Sequence, residues 1–160
     1  MKVGITGHQN IGSGETIKWV TNTLTAYINT ISIELGLTSL AIGADQLFAH
    51  LLQHSNIPYT VIIPCDNYER TFSDTASLQN YQALLNTSFN NFHLPFHEPT
   101  EAAFYQAGKE IVDRSDMIIA IWNGQPAKGL GGTGDIVKYA IANKKHIYHI
   151  NPATQKVTEL

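Results

Sequence analysis

A single cysteine, Cys65, among 160 residues leaves no internal disulfide framework on which the fold could depend. Charge is scarce as well: 14% of residues are Asp, Glu, Lys or Arg, and only two of these, Arg70 and Arg114, are arginines. The 10 basic and 13 acidic residues give a net charge of -3. That balance lacks the positive excess of a general nucleic-acid binder, so no general nucleic-acid binding is expected. No apolar run approaches the roughly 18 residues of a membrane span, and the amino terminus, MKVGITG, lacks the apolar stretch of a signal peptide. The expectation is a cytoplasmic protein with no membrane partner. Three motifs are also missing: the GKS or GKT of a Walker A loop, a GxGxxG after the first strand, and HExxH. Their absence argues against ATP hydrolysis, NAD and a zinc centre, and no cofactor or metal is expected.

What is present is a core-forming composition, 43% hydrophobic, enough for one globular domain over residues 1–160. Short apolar runs alternate with longer amphipathic stretches, the pattern of strands and crossover helices in a parallel sheet. The runs Lys2 to Thr6, Leu40 to Ile42, Tyr59 to Ile63, Met117 to Trp122 and His146 to Ile150 read as strands. Ile17, Val20, Leu24, Ile28, Ile31 and Leu35 recur at steps of three and four and predict one long helix ended by Gly36. Further helices follow around Leu47 to Leu52, Leu78 to Leu85, Glu101 to Arg114 and from Ile136, while Asn86 to Glu98 reads as loop or one short strand. The expected fold is a three-layer Rossmann-like α/β domain, with a mainly parallel sheet of about five strands.

In such a sheet the loops leaving the carboxyl ends of the strands converge on the ligand. Here they are Gly7-His8-Gln9, Gly43-Ala44-Asp45, the segment Cys65 to Arg70, and Trp122-Asn123 running on to Gly131-Gly132-Thr133-Gly134. The last combines glycines, a hydroxyl and a helix start, a combination suited to phosphate; the alternative is a mobile loop that merely turns the chain. His8 is a candidate donor or acid, or a packed loop residue. Trp122 could stack on a base or pack in the core. Asp45 stands where a helix cap is expected, with a second oxygen free for a ligand hydroxyl. His50 with His54, and His93 with His97, repeat a four-residue spacing but lack the further ligands that zinc needs.

The segments GITGHQ, IGADQL, IPCDNYERTF and SDMIIAIWNGQPAKGLGGTGDIVKYA, in that order, resemble the SLOG superfamily. This group of Rossmann-like domains includes the Lonely guy phosphoribohydrolases, the DNA-processing protein family and nucleotide sensors of bacterial defence systems. The resemblance implies a nucleotide or nucleotide-derived ligand, cyclic and ADP-ribose-type ligands included, across the carboxyl edge of the sheet. Two departures limit it. The catalytic Glu of the PGGxGTxxE signature is replaced by Ile136, and Gln9 stands where many relatives carry an Arg after Gly-His. The cationic role then falls to Arg70 or Lys128, with Arg70 favoured for its planar fork.

Two functions follow. The first is a sensor or binding protein for a nucleotide-type small molecule. The second is a hydrolase of the N-glycosidic bond of nucleoside monophosphates, its carboxylate drawn from Glu69, Glu98 or Asp45. Trp19, Tyr27 and Ile33 lie outside the core stripe of the first helix, which predicts a homodimer or tetramer formed over that face; the alternative is that a loop such as Asn86 to Glu98 folds over them within one chain.

Overall fold

A computed structural model of the chain describes all 160 residues. Seven strands form one sheet: β1 (Lys2–Gly7), β2 (Leu35–Thr38), β3 (Tyr59–Ile63), β4 (Asn90–His93), β5 (Met117–Ile121), β6 (His146–Asn151) and β7 (Lys156–Glu159). Their spatial order is β4-β3-β2-β1-β5-β6-β7, and every neighbouring pair is parallel except β6 with β7. Five helices connect them: α1 (Gly14–Ile28), α2 (Ala44–His54), α3 (Thr75–Asn86), α4 (Glu101–Arg114) and α5 (Thr133–Ala142).

The period-two alternation of the strands divides their side chains between two cores. Met117, Ile119 and Ile121 of β5 join Val3 and Ile5 beneath α1, α2 and α3. Ile118 and Ala120 face the opposite way and pack with Ala107, Ile111, Ile136 and Val137 of α4 and α5. The result is the expected three-layer Rossmann-like arrangement. Helix α1 begins at a Ser13 cap, whose hydroxyl accepts from the Thr16 amide, and buries Val20, Leu24 and Ile28.

Several expectations are corrected. The sheet has seven strands rather than about five, because Asn90–His93 pairs with β3 and Lys156–Glu159 folds back on β6. The second strand is Leu35–Thr38, not Leu40 to Ile42, and α1 stops at Ile28. Gly36 does not end a helix: it sits inside β2, pressed against Leu52 of α2, where a larger residue would collide. Trp19, Tyr27 and Ile33 do not form an uncovered face. All three pack against the main core, and the Tyr27 ring lies 3.4 Å from that of Tyr148 on β6, nearly parallel. The apolar face invoked for a homodimer or tetramer is thus partly covered within the chain, since β6 extends the sheet beneath α1 and leaves these three side chains partly buried. No helix is long and apolar enough to cross a membrane.

Candidate functional site

The chain leaves β1 toward β2 on one side and β5 toward β6 on the other, so the loops after β1 and β5 part and open a crevice at the carboxyl edge. Its volume is about 640 Å³, within the range of small-ligand sites. Gly7, His8, Gln9, Asp45, Asn123, Gly131, Gly132, Thr133 and Gly134, all expected from the sequence, meet there.

Two sets of backbone amides on residues that line this space have no acceptor in the chain. Thr133 and Gly134 open α5, where the first N–H groups of a helix have no intrahelical acceptor. In the β1 loop, the N–H groups of Gln9 and Asn10 likewise find no acceptor in the chain. The glycine segment is shaped by close packing on α4. Gly131 has φ +83°, and a Cβ there would lie 2.8 Å from the Tyr105 backbone nitrogen. Its amide donates to Asp135 Oδ2 at 3.2 Å. Gly132 has an ordinary φ of -66°, so the positive φ belongs to Gly131.

A single peptide group links the two main loops. The Asn123 amide donates to His8 Nε2 at 3.0 Å, while the Trp122 carbonyl lies 2.7 Å from His149 Nε2. His8 therefore accepts through Nε2, which leaves Nδ1 as the ring position free to donate. Gly43 and Ala44 do not line the crevice. They stand behind the first loop, where the Ala44 amide donates to the His8 carbonyl at 3.1 Å.

Asp45 is not the helix cap; Gly43 occupies that position. The Asp45 carboxylate reaches back to the end of β2, where Oδ2 accepts from the Ser39 amide at 2.9 Å and the Thr38 hydroxyl at 3.0 Å. Burial pushes its pKa up to about 6, against the opposing pull of these hydrogen bonds. It is the carboxylate on the crevice wall. Glu69 and Glu98, the other acid candidates, are exposed and do not line it.

Arg70 is also outside. Asn67, at φ +56°, starts a single 3-10 turn over Tyr68–Thr71, and with three residues per turn only one side chain in three points inward. Tyr68 takes that place, buried, its hydroxyl donating to the Ser39 carbonyl at 2.9 Å. Lys128 is the cation lining the crevice. Trp122 is absent from the lining: its indole donates to the Gln125 carbonyl at 2.8 Å and its ring packs near His149. Cys65 is buried, and burial followed by the nearby Asp66 and Glu98 charges raises its thiol pKa. His93 and His97 both face Asp66, at 3.8 and 3.0 Å.

Sequence reasoning missed Ser39, Tyr68 and Phe104 on the wall. Tyr68 lies within the segment Cys65 to Arg70, where the guanidinium of Arg70 drew the site role instead. Phe104 reads as one more apolar helix position.

No family model and no curated protein sequence matches the chain. Its fold does match solved structures of DNA processing protein A. That from Streptococcus pneumoniae superposes with a TM-score of 0.65 at 16% identity, covering 92% of this chain and 49% of the other. That from Helicobacter pylori, described for its single-stranded DNA binding mode, gives 0.66 at 15% identity, covering 93% and 64%. This chain thus spans from about half to under two thirds of the length of those proteins. At such identities the likeness establishes the fold, and it is the fold that the SLOG resemblance implied. It also corrects one expectation. A protein of this fold binds single-stranded DNA, so a net charge of -3 does not exclude nucleic acid; net charge sums the whole surface, whereas a strand meets only the field of one groove.

Proposed function

We propose that residues 1–160 form one binding unit for a nucleotide or nucleotide-derived ligand, recognised at the β1–β5 crevice by a sensor or binding protein. One observation carries the reading: Gln9, Asn10, Thr133 and Gly134, whose backbone amides have no acceptor in the chain, all line the same crevice. Convergent amides with a helix amino terminus favour a phosphate group, and the Thr133 hydroxyl and the Lys128 ammonium add a donor and a charge. A short single-stranded DNA presents the same phosphate chemistry and belongs among the probes.

A thermal-shift screen over mono-, di- and cyclic nucleotides, ADP-ribose and a short single-stranded oligonucleotide tests this, because a ligand bound only by the folded state raises the midpoint. No shift with any of them overturns the reading. Thr133→Val, which keeps the side-chain shape and removes one donor, is expected to weaken a ligand found this way by about 1 to 3 kcal/mol. Calorimetry showing equal affinity would remove Thr133 from the site.

Asp45 favours a second reading, hydrolysis of an N-glycosidic bond. A crevice carboxyl with a pKa near 6 is suited to proton transfer. Sustained release of free base from nucleoside monophosphates, lost in Asp45→Asn, would replace the binder reading.

A further inference from the structure

We propose that the crevice has a second lobe beside Phe104 and that this lobe takes the nucleobase of the ligand. The proposal rests on the phosphate reading above. A pocket of about 200 Å³ adjoins the main crevice, and Gln9, Ala41, Tyr68 and Phe104 line both. The two spaces thus share four wall residues, with the start of α5 on the main crevice and Thr71 on the small lobe. By itself the lobe is smaller than the roughly 300 to 1,000 Å³ of a complete small-molecule site. It takes part of a ligand.

Its chemistry selects which part. Beyond the shared residues the walls are Ile42, Thr71, Phe72 and Pro99, with no carboxylate, ammonium or guanidinium among them. A phosphate would find no countercharge. A sugar would find few free hydroxyls, since that of Tyr68 is committed to the Ser39 carbonyl and that of Thr71 to the Tyr68 carbonyl. A flat, uncharged heterocycle suits these walls, stacking on an aromatic ring while its edge keeps hydrogen bonds. Phe104 offers the ring, a role the sequence had suggested for Trp122, whose indole is turned to Gln125 and His149. Gln9 offers the edge: the residue is exposed and lines the lobe, and its carboxamide carries both acceptor and donors. The same residue presents its backbone amide in the phosphate-facing set, so one residue of the β1 loop links the two halves of the ligand.

The test is calorimetry on the full chain with ribose 5-phosphate and the four common nucleoside 5′-monophosphates. At least one nucleotide is expected to bind tenfold or more tightly than ribose 5-phosphate. Thr71→Phe, a change at an exposed position that lines the small lobe and not the main crevice, should abolish that gap while leaving ribose 5-phosphate affinity unchanged. Phe104→Ala should also abolish the gap, and Thr71→Phe decides alone if Phe104→Ala does not fold. Equal affinity of ribose 5-phosphate and all four nucleotides overturns the proposal, as does a gap that survives in the variants or a variant that weakens both kinds of ligand equally. In each of those outcomes ribose 5-phosphate still binds, and the phosphate reading stands. Failure of all five probes to bind overturns the base lobe, while the wider thermal-shift screen decides the phosphate reading separately.

Discussion

Gly43→Ala is expected to destabilise the protein by roughly 2 to 6 kcal/mol and to abolish ligand binding. Gly43 sits at φ +87° and ψ -118°, a region that L side chains rarely adopt. A Cβ there would collide with the Gln9 carbonyl and lie 2.6 Å from the His8 carbonyl oxygen. Both obstacles are backbone, so no rotamer change relieves them. Relief requires moving the β1 loop, and that loop carries the Gln9 and Asn10 amides. Stability and binding should therefore fail together. Gly14→Ala is the control, because a Cβ there meets nothing within 4 Å; it should be neutral or stabilise by up to about 1 kcal/mol. Denaturant titrations at unchanged slope measure both. A Gly43→Ala protein with the original midpoint and ligand response would show that the first loop is not braced by the start of α2.

The pH dependence of stability should change most in Asp45→Asn. The folded-state pKa of Asp45, about 6, lies above its ordinary 3.8 because the carboxyl is buried. The folded chain thus holds this proton more tightly than the unfolded chain. Its contribution to stability is fully present below the unfolded pKa and is lost as pH rises through about 6. A difference of this size is worth about 3 kcal/mol. Asparagine keeps an acceptor for the Ser39 amide and the Thr38 hydroxyl but never ionises. Relative to the wild type, the variant should gain up to this amount between pH 4 and pH 7, with other titrating groups cancelling in the comparison. Denaturation at each pH in that range gives the difference directly, and a flat difference would mean that Asp45 titrates alike in both states.

The sequence by itself determined the layers and the place of the site. In β5, MIIAI is apolar on both faces, which fits only a strand covered on both sides. The glycine cluster after it and the Gly-His-Gln after β1 then had to share one edge, because parallel strands all point their carboxyl ends the same way. The periodicity of Val20, Leu24 and Ile28 was equally local and equally legible.

Tertiary structure decided what local pattern could not. Ile31 and Leu35 continue the helical spacing, yet β1 and β3 recruit Leu35–Thr38 as a strand, and Gly36 is needed there by Leu52 of α2 rather than by a helix end. β7 is exposed along its whole length and has no apolar alternation; the free edge of β6 makes it a strand. The choice of Tyr68 over Arg70, and of Asp45 as a tie to β2 rather than a cap, turned on the hand of one 3-10 turn and the reach of one carboxylate. Hydrophobic periodicity is written in near neighbours. The recruitment of β2 and the inward face of the Tyr68 loop are set by partners about 20 to 35 residues away in the chain, and that of β7 by an edge that exists only once the sheet has assembled, because each depends on which surfaces the sheet leaves to be filled.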